Sequence, residues 1–277
     1  MTLKPATEPA ETDTNQATST VYGPVRSWRV GNSLGVDLLF TTSICSFQCV
    51  YCQLGKILDH TAERKVYVST EKVMEDLRAS AWQEADIITL SGNGEPTLAL
   101  NLPEVIHELK AATGKPVMVL TNATTLWDPQ VRADLAEADQ VFCKLDASND
   151  ATLKRVNRPV DGVTIRSIVD GIKALRAEYP GYLAVQMMFM PMNRSEVTEM
   201  AEILNEIRPD EVQLNTPRRP VPREWFMESR GNHEGVPYPA VQLKTVDRDE
   251  ALDIEAQIRD LTGLKVVSIY RKDENKA

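Results

Sequence analysis

Short apolar runs alternate along this chain with stretches of helical periodicity, and that alternation limits the fold more than any other feature. GVDLLFT (35–41), DIITLS (86–91), PVMVLTN (116–122), DQVFCKLDA (139–147), YLAVQMMFM (182–190) and DEVQLN (210–215) are strand-length runs. Helical patterns over 71–82, 102–113, 128–136, 162–178 and 195–207 lie between them. Asn101, followed by Leu102, Pro103 and Glu104, reads as a helix cap, and Gly114 as the stop of that helix. Thr164 opens a helix whose Ile165, Ile168, Ile172 and Leu175 share one stripe. Ser195 caps the next, with Val197, Met200, Leu204 and Ile207 as its buried face. Strands that are each followed by a helix or a long loop form a parallel sheet with helices packed outside, joined by right-handed crossovers. Six units curl a sheet but fall short of the eight that close a full barrel. The expected class is therefore α/β, an open partial (βα)6 barrel. A short C-terminal extension adds a helix near 249–262 and a strand, LKVVSIY, at 264–270.

Residues 1–20, polar and rich in Thr, Glu and Ala, read as a disordered arm. No composition break divides residues 21–277, which read as one domain. At 42% hydrophobic content the chain has ample material for a core. No run approaches the ~18–20 apolar residues of a membrane span, and the amino terminus lacks a signal-peptide core. The expectation is a cytoplasmic protein without structural disulfides.

In such sheets chemistry collects where the strands end. The loop after the first strand carries Cys45, Cys49 and Cys52, three of the four cysteines in the chain. SGNGEPT follows the second strand, TNAT the third, and KLDAS ends the fourth, so four polar clusters share one rim. Three thiols at spacings of four and three suit neither a disulfide pair nor a four-ligand zinc site, unless His60 completes a Cys3His set. An iron–sulfur cluster with three thiolate ligands fits them better, and leaves one iron open.

The CxxxCxxC loop, with Tyr51 before its last cysteine, resembles the radical S-adenosylmethionine (radical SAM) superfamily. The order of the later motifs agrees from about Gly23 onward. The resemblance implies a [4Fe–4S] cluster on Cys45, Cys49 and Cys52, with S-adenosylmethionine on the open iron. The cluster's electron would break the sulfonium bond to give methionine and a 5′-deoxyadenosyl radical that abstracts hydrogen. It implies that Tyr51 packs near the adenine. It also implies that GNGE, Gly92 to Glu95, corresponds to a Gly-Gly-Glu motif holding the methionyl ammonium, with Asn93 as a departure. Glycines there permit close backbone approach, and Glu95 adds charge. An electron donor such as flavodoxin or ferredoxin is implied as a partner.

Period-two alternation puts Cys143 with Val141 and Leu145 toward the helices, as a packing thiol. It sends Phe142, Lys144 and Asp146 into the barrel. There the two charges either pair with each other or act on substrate, and they are the candidate catalytic residues. The same face-counting nominates Asn122, Gln186, Gln213 and Asn215; Asn122 and Asn215 are taken as cofactor contacts. Met187, Met188, Met190 and Met192 read as core fillers.

YGPVRSWRVGNSLGVDLL (22–39), CVYCQLG and QLNTPRRP look like a subgroup related to the tRNA wyosine-base synthases. The second set of cysteines those synthases carry has no counterpart here. The formal charge is −9, from 31 basic and 40 acidic residues, which opposes a polyanion. The basic clusters VRSWR (25–29), LKRVNR (153–158) and RRPVPR (218–223) are short. A small-molecule or peptide substrate therefore ranks ahead of nucleic acid. tRNA modification, glycyl-radical enzyme activation and a non-catalytic metal-binding module are the alternatives, and no membrane partner is expected.

Overall fold

A computed structural model describes residues 19–40, 42–227, 230 and 238–270. The arm expected over 1–20 falls outside them except at its end. There Thr20 is buried and donates from both its amide and hydroxyl to Asp76, at 2.8 Å each.

Eight strands form the central sheet, here β1 (Val21–Ser27), β2 (Gly31–Val36), β3 (Ile87–Leu90), β4 (Val117–Thr121), β5 (Gln140–Lys144), β6 (Tyr182–Met188), β7 (Glu211–Asn215) and β8 (Val266–Ser268). They lie in that order across the sheet. β1 runs antiparallel to β2, and every later pairing is parallel. The expected parallel sheet and its helical layer are present, and the tail strand is an edge strand beside β7.

The first strand departs from expectation. It ends at Val36 rather than running to 41, because Asp37 turns its carboxylate back onto the amides of Leu39 (2.9 Å) and Phe40 (3.2 Å). The pairing also extends backwards into a hairpin with β1, whose Gly23–Pro24 step interrupts the register. That interruption hides the alternation by which a strand is recognised.

The helices are α1 (Thr70–Arg78), α2 (Leu102–Thr113), α3 (Pro129–Leu135), α4 (Asp150–Val156), α5 (Ile165–Glu178), α6 (Val197–Ile207) and α7 (Arg248–Thr262). On α5, Thr164 and Ser167 form a reciprocal capping box, and Ile168, Val169, Ile172 and Leu175 are buried. Burial at each of these positions contributes roughly 1.5–3 kcal/mol. Gly114 ends α2 with φ +62°. Two expected caps differ. Asn101 gives its amide to Val68 O (3.0 Å) and Thr70 Oγ1 (3.1 Å) instead of capping α2. Ser195 lies inside a 3-10 turn, and Glu196 stands at the start of α6. α4, capped by Asn149, was not anticipated, since seven residues barely complete two turns of pattern.

Val141, Cys143 and Leu145 join the large core between sheet and helices. Phe142 packs on the opposite face with Ile87, Met118 and Ala184. The strand faces therefore fall as the alternation of β5 requires. Met187 and Met190 are buried filler.

Candidate active site

Two loops at the carboxyl ends of β2 and β3 are laid side by side by backbone hydrogen bonds. Ile44 N donates to Asn93 O at 2.8 Å, and Glu95 N donates back to Ile44 O at 3.0 Å. This puts the cysteine loop directly against GNGE. The approach is close enough that a Cβ on Gly94 would lie 1.6 Å from the Ile44 carbonyl oxygen, and its φ is +153°. Only glycine satisfies both conditions. Gly92, with φ +145°, is confined by Asp37, whose Cγ would be 2.5 Å from an added Cβ.

Asn93, the departure from a second glycine, is fully buried. Its amide nitrogen donates to Asp37 Oδ2 (2.7 Å) and Phe40 O (3.3 Å), while its oxygen accepts from Trp225 Nε1 (3.4 Å). The side chain thus ties GNGE to the end of β2 and to the segment after β7. Asp37 also faces Arg230, at 3.4 Å.

Glu95 is buried and its carboxylate is engaged at both oxygens. Oε1 accepts from Thr97 N (3.1 Å), Thr97 Oγ1 (2.7 Å) and Thr121 Oγ1 (2.7 Å), and Oε2 from Asn122 N (2.6 Å). Burial raises its pKa, and these bonds hold the rise down. Asn122 in turn donates to Ser46 Oγ (2.9 Å) and approaches Cys45 Sγ at 3.5 Å. A chain of contacts therefore runs from Glu95 to the first cysteine.

The other side of the loop rests on α4 and the turn beyond it. Gln48 N donates to Asn157 O (2.9 Å) and Val50 N to Val156 O (2.9 Å). Asn157 Nδ2 contacts Cys49 Sγ (3.4 Å) and Asp146 Oδ2 (2.8 Å). Its buried oxygen has no partner. Tyr51 donates its hydroxyl to Asp146. Asp146 also accepts from Met188 N at 2.7 Å and stands 3.1 Å from Lys144 Nζ. The two charges expected inside the barrel are thus joined, with Asp146 turned to the cysteine loop. Lys144 keeps 21% of its side chain exposed and lies 5.1 Å from the Tyr51 ring centroid.

Of the other polar residues on the inner face, Gln186 and Gln213 bond each other at 3.0 Å. Asn215 uses its oxygen on Thr216 N (2.9 Å) and borders a water-sized cavity of about 10 Å³. His60 is exposed, with its ring on Ser46 O at 3.2 Å. Among the described residues no three His, Cys, Asp or Glu side chains converge as ligands to one ion.

Burial pushes all three thiols up. Cys45 rises well above the ordinary range, with Glu95 and Cys49 adding to the effect; Cys49 rises to about 12 and Cys52 to about 11. Three such thiols accept deprotonation only beside a positive centre. The donor set, three half-buried thiols and no other ligand type, fits an iron–sulfur cluster.

The structure brings together the cysteines, GNGE, Asn122 and the Lys144–Asp146 pair that the sequence nominated. Asp37, Asn157 and Trp225, which contact them, stand in no motif and were not among the expected residues. Asn157 is the fifth residue of LKRVNR, a run marked in the sequence by its basic side chains.

The family model of the radical SAM superfamily matches residues 39–204. A UPF0026 protein of Synechocystis is 44% identical over 250 residues, covering 89% of this chain and 94% of its own. Among solved structures, SuiB of Streptococcus suis bound to S-adenosylmethionine has a TM-score of 0.59 at 13% identity, over 84% of this chain and 49% of that one. An archaeal TYW1 has a TM-score of 0.51 at 13% identity, over 85% and 74%. At these identities the structures speak for the fold. Among the described residues no helix is long and apolar enough to cross a membrane. With its family model spanning more than half the sequence, the chain belongs to the radical SAM superfamily, enzymes that work with a [4Fe–4S] cluster and S-adenosylmethionine.

Proposed function

We propose that Cys45, Cys49 and Cys52 hold the cluster and that the adjoining GNGE loop receives the methionyl end of S-adenosylmethionine. The observation that carries this reading is the pair of backbone hydrogen bonds joining Ile44 to Asn93 and Glu95, which fixes the thiol loop and the glycine loop as one unit. When bound, the cluster supplies the electron that cleaves S-adenosylmethionine to a hydrogen-abstracting 5′-deoxyadenosyl radical.

The chain's own residues orient and shield. Asn93 O is used by Ile44, so the carbonyls of Gly92 and Gly94 are assigned to the ammonium. Glu95 gives its lone pairs to Thr97, Thr121 and Asn122; its share is the negative charge behind those carbonyls and the placement of Asn122 against Cys45. Tyr51, anchored by Asp146, forms a wall for the adenine. Asn122 and Asn215 are the remaining cofactor contacts. Lys144, partly open to the barrel, is the residue offered to substrate, and Asp146 positions it. The segment after β7 meets the cysteine loop through Gln53 Nε2 and Pro220 O (3.4 Å) and GNGE through Trp225 Nε1 and Asn93 Oδ1.

The substrate class is a small molecule or peptide rather than tRNA, supported by the net charge of −9. Two measurements test the reading. Anaerobic protein given dithionite and S-adenosylmethionine should release 5′-deoxyadenosine, and Cys49→Ala should release none. Bulk tRNA, titrated at two ionic strengths, should bind no tighter than about 10⁻⁵ M at physiological salt. Tight binding with a steep salt slope, lost in Arg218→Ala/Arg219→Ala, makes RNA modification the function instead.

A further inference from the structure

At the end of the barrel opposite the cysteines, a cavity of about 450 Å³ opens among the strand starts. Ile87, Gln140, Tyr182 and Glu211, the first residues of four strands, line it together with Lys265 and Arg29. Two charged wall residues neutralise each other, since Lys265 Nζ is 2.7 Å from Glu211 Oε2. The other carboxylate on the wall, Asp86, accepts the Asn32 amide at 2.8 Å.

Arg29, in the turn between β1 and β2, is the wall's second cation and, among the described residues, makes no ion pair. Its Nε is buried and has no hydrogen-bond partner, and its guanidinium lies 4.8 Å from the Trp28 ring centroid. A buried guanidinium nitrogen without an acceptor is costly, and proteins retain few of them. The second observation is a like charge. Burial, and after it the like charge of Arg219 on the segment after β7, pulls the Arg29 pKa down to about 10. The sequence places these two arginines almost 200 positions apart, and the fold brings them within electrostatic reach.

We propose that this amino-terminal mouth of the barrel is a second binding site, for the phosphate or carboxylate group of a small molecule, with Arg29 as the residue that holds it. A guanidinium suits either oxyanion through paired N–H donors. An anion there would satisfy the orphaned Nε and screen Arg29 from Arg219. The site lies apart from the proposed cofactor site, so its occupancy and S-adenosylmethionine cleavage are separable.

The test is calorimetric titration of anaerobically prepared holoenzyme at constant ionic strength, with inorganic phosphate in one arm and malonate in the other. Saturable one-to-one binding in at least one arm is expected, and the arm that saturates identifies the chemical source. Arg29→Met should weaken that binding at least about tenfold, the loss of one charge-assisted contact, while Arg29→Lys keeps part of it. Without anion, the melting temperature of Arg29→Met should equal or exceed that of the parent, because an uncompensated buried charge is removed. Uncoupled 5′-deoxyadenosine release should be unchanged in Arg29→Met. No saturable binding in either arm, undiminished binding in Arg29→Met, or a lower melting temperature for that variant would each overturn the proposal.

Discussion

The cysteine loop is held from two sides, and the two supports are built differently. On the Cys45 side, Glu95 is a buried carboxylate met by backbone amides and threonine hydroxyls, with Asn122 passing the contact on to the thiol. On the Cys49 side, Asp146 is a buried carboxylate met by Lys144, Tyr51 and Asn157. Both tie the same loop to a strand end. The first is a neutral-donor cradle in which charge is tolerated; the second contains an ion pair whose partners depend on each other. Two supports of equal geometry should therefore fail differently when the charge is removed.

Asp146→Asn gives the largest effect. It leaves Lys144 without its partner and turns an amide donor toward other donors. Breaking a buried pair, discounted for the exposure of Lys144, costs about 2–4 kcal/mol in denaturant unfolding. Glu95→Gln should cost less, about 1–3 kcal/mol, and should weaken S-adenosylmethionine binding while the iron stays. If the two variants lose equal stability, the distinction between the supports is wrong.

Acidity sharpens the comparison. Burial raises the Glu95 carboxyl above its ordinary pKa, so folding favours the proton there. Its contribution to stability is full below the ordinary carboxylate range and is lost as pH rises through the raised value. Parent protein should therefore lose stability over that window relative to Glu95→Gln, in denaturation measured across pH. A constant difference would show the carboxyl to be unshifted.

A smaller effect concerns Asn157, one of the two side-chain amides that touch a cysteine sulfur. Asn157→Ala removes the contact to Cys49 Sγ (3.4 Å). Hydrogen bonds to cluster sulfurs favour the reduced, more negative state. The midpoint potential should fall by roughly 20–65 mV, the one-electron equivalent of a net bond of about 0.5–1.5 kcal/mol. Spectroelectrochemical titration measures it, and an unchanged potential makes Asn157 a purely structural residue of the turn after α4.

How much of this was legible depends on whether a feature is local. The parallel strands were readable because strand-length segments, each with a buried apolar stripe, recur between helical patterns. GNGE and the cysteines were readable because backbone approach and metal chemistry demand particular residues at fixed spacing. β1 was not, since Gly23–Pro24 breaks its alternation, and α4 was too short to show a period. Asn157 and Asp37 escaped for another reason: each acts on a residue far away in sequence, and an isolated Asn or Asp carries no mark of its partner. Asp146 was half legible. Strand alternation put it with Lys144 inside the barrel, but its bond to Tyr51 spans 95 positions and belongs to the fold alone.

Iron and acid-labile sulfide per chain, counted after anaerobic reconstitution, test the central claim that Cys45, Cys49 and Cys52 alone hold the cluster. Parent protein and Cys143→Ala should each carry about four of both, because Cys143 is packed wholly into the core on the helical side of β5. Cys45→Ala, Cys49→Ala and Cys52→Ala should each carry almost none. Full iron in any of those three, loss of iron in Cys143→Ala, or stoichiometric zinc in place of iron in the parent would contradict it.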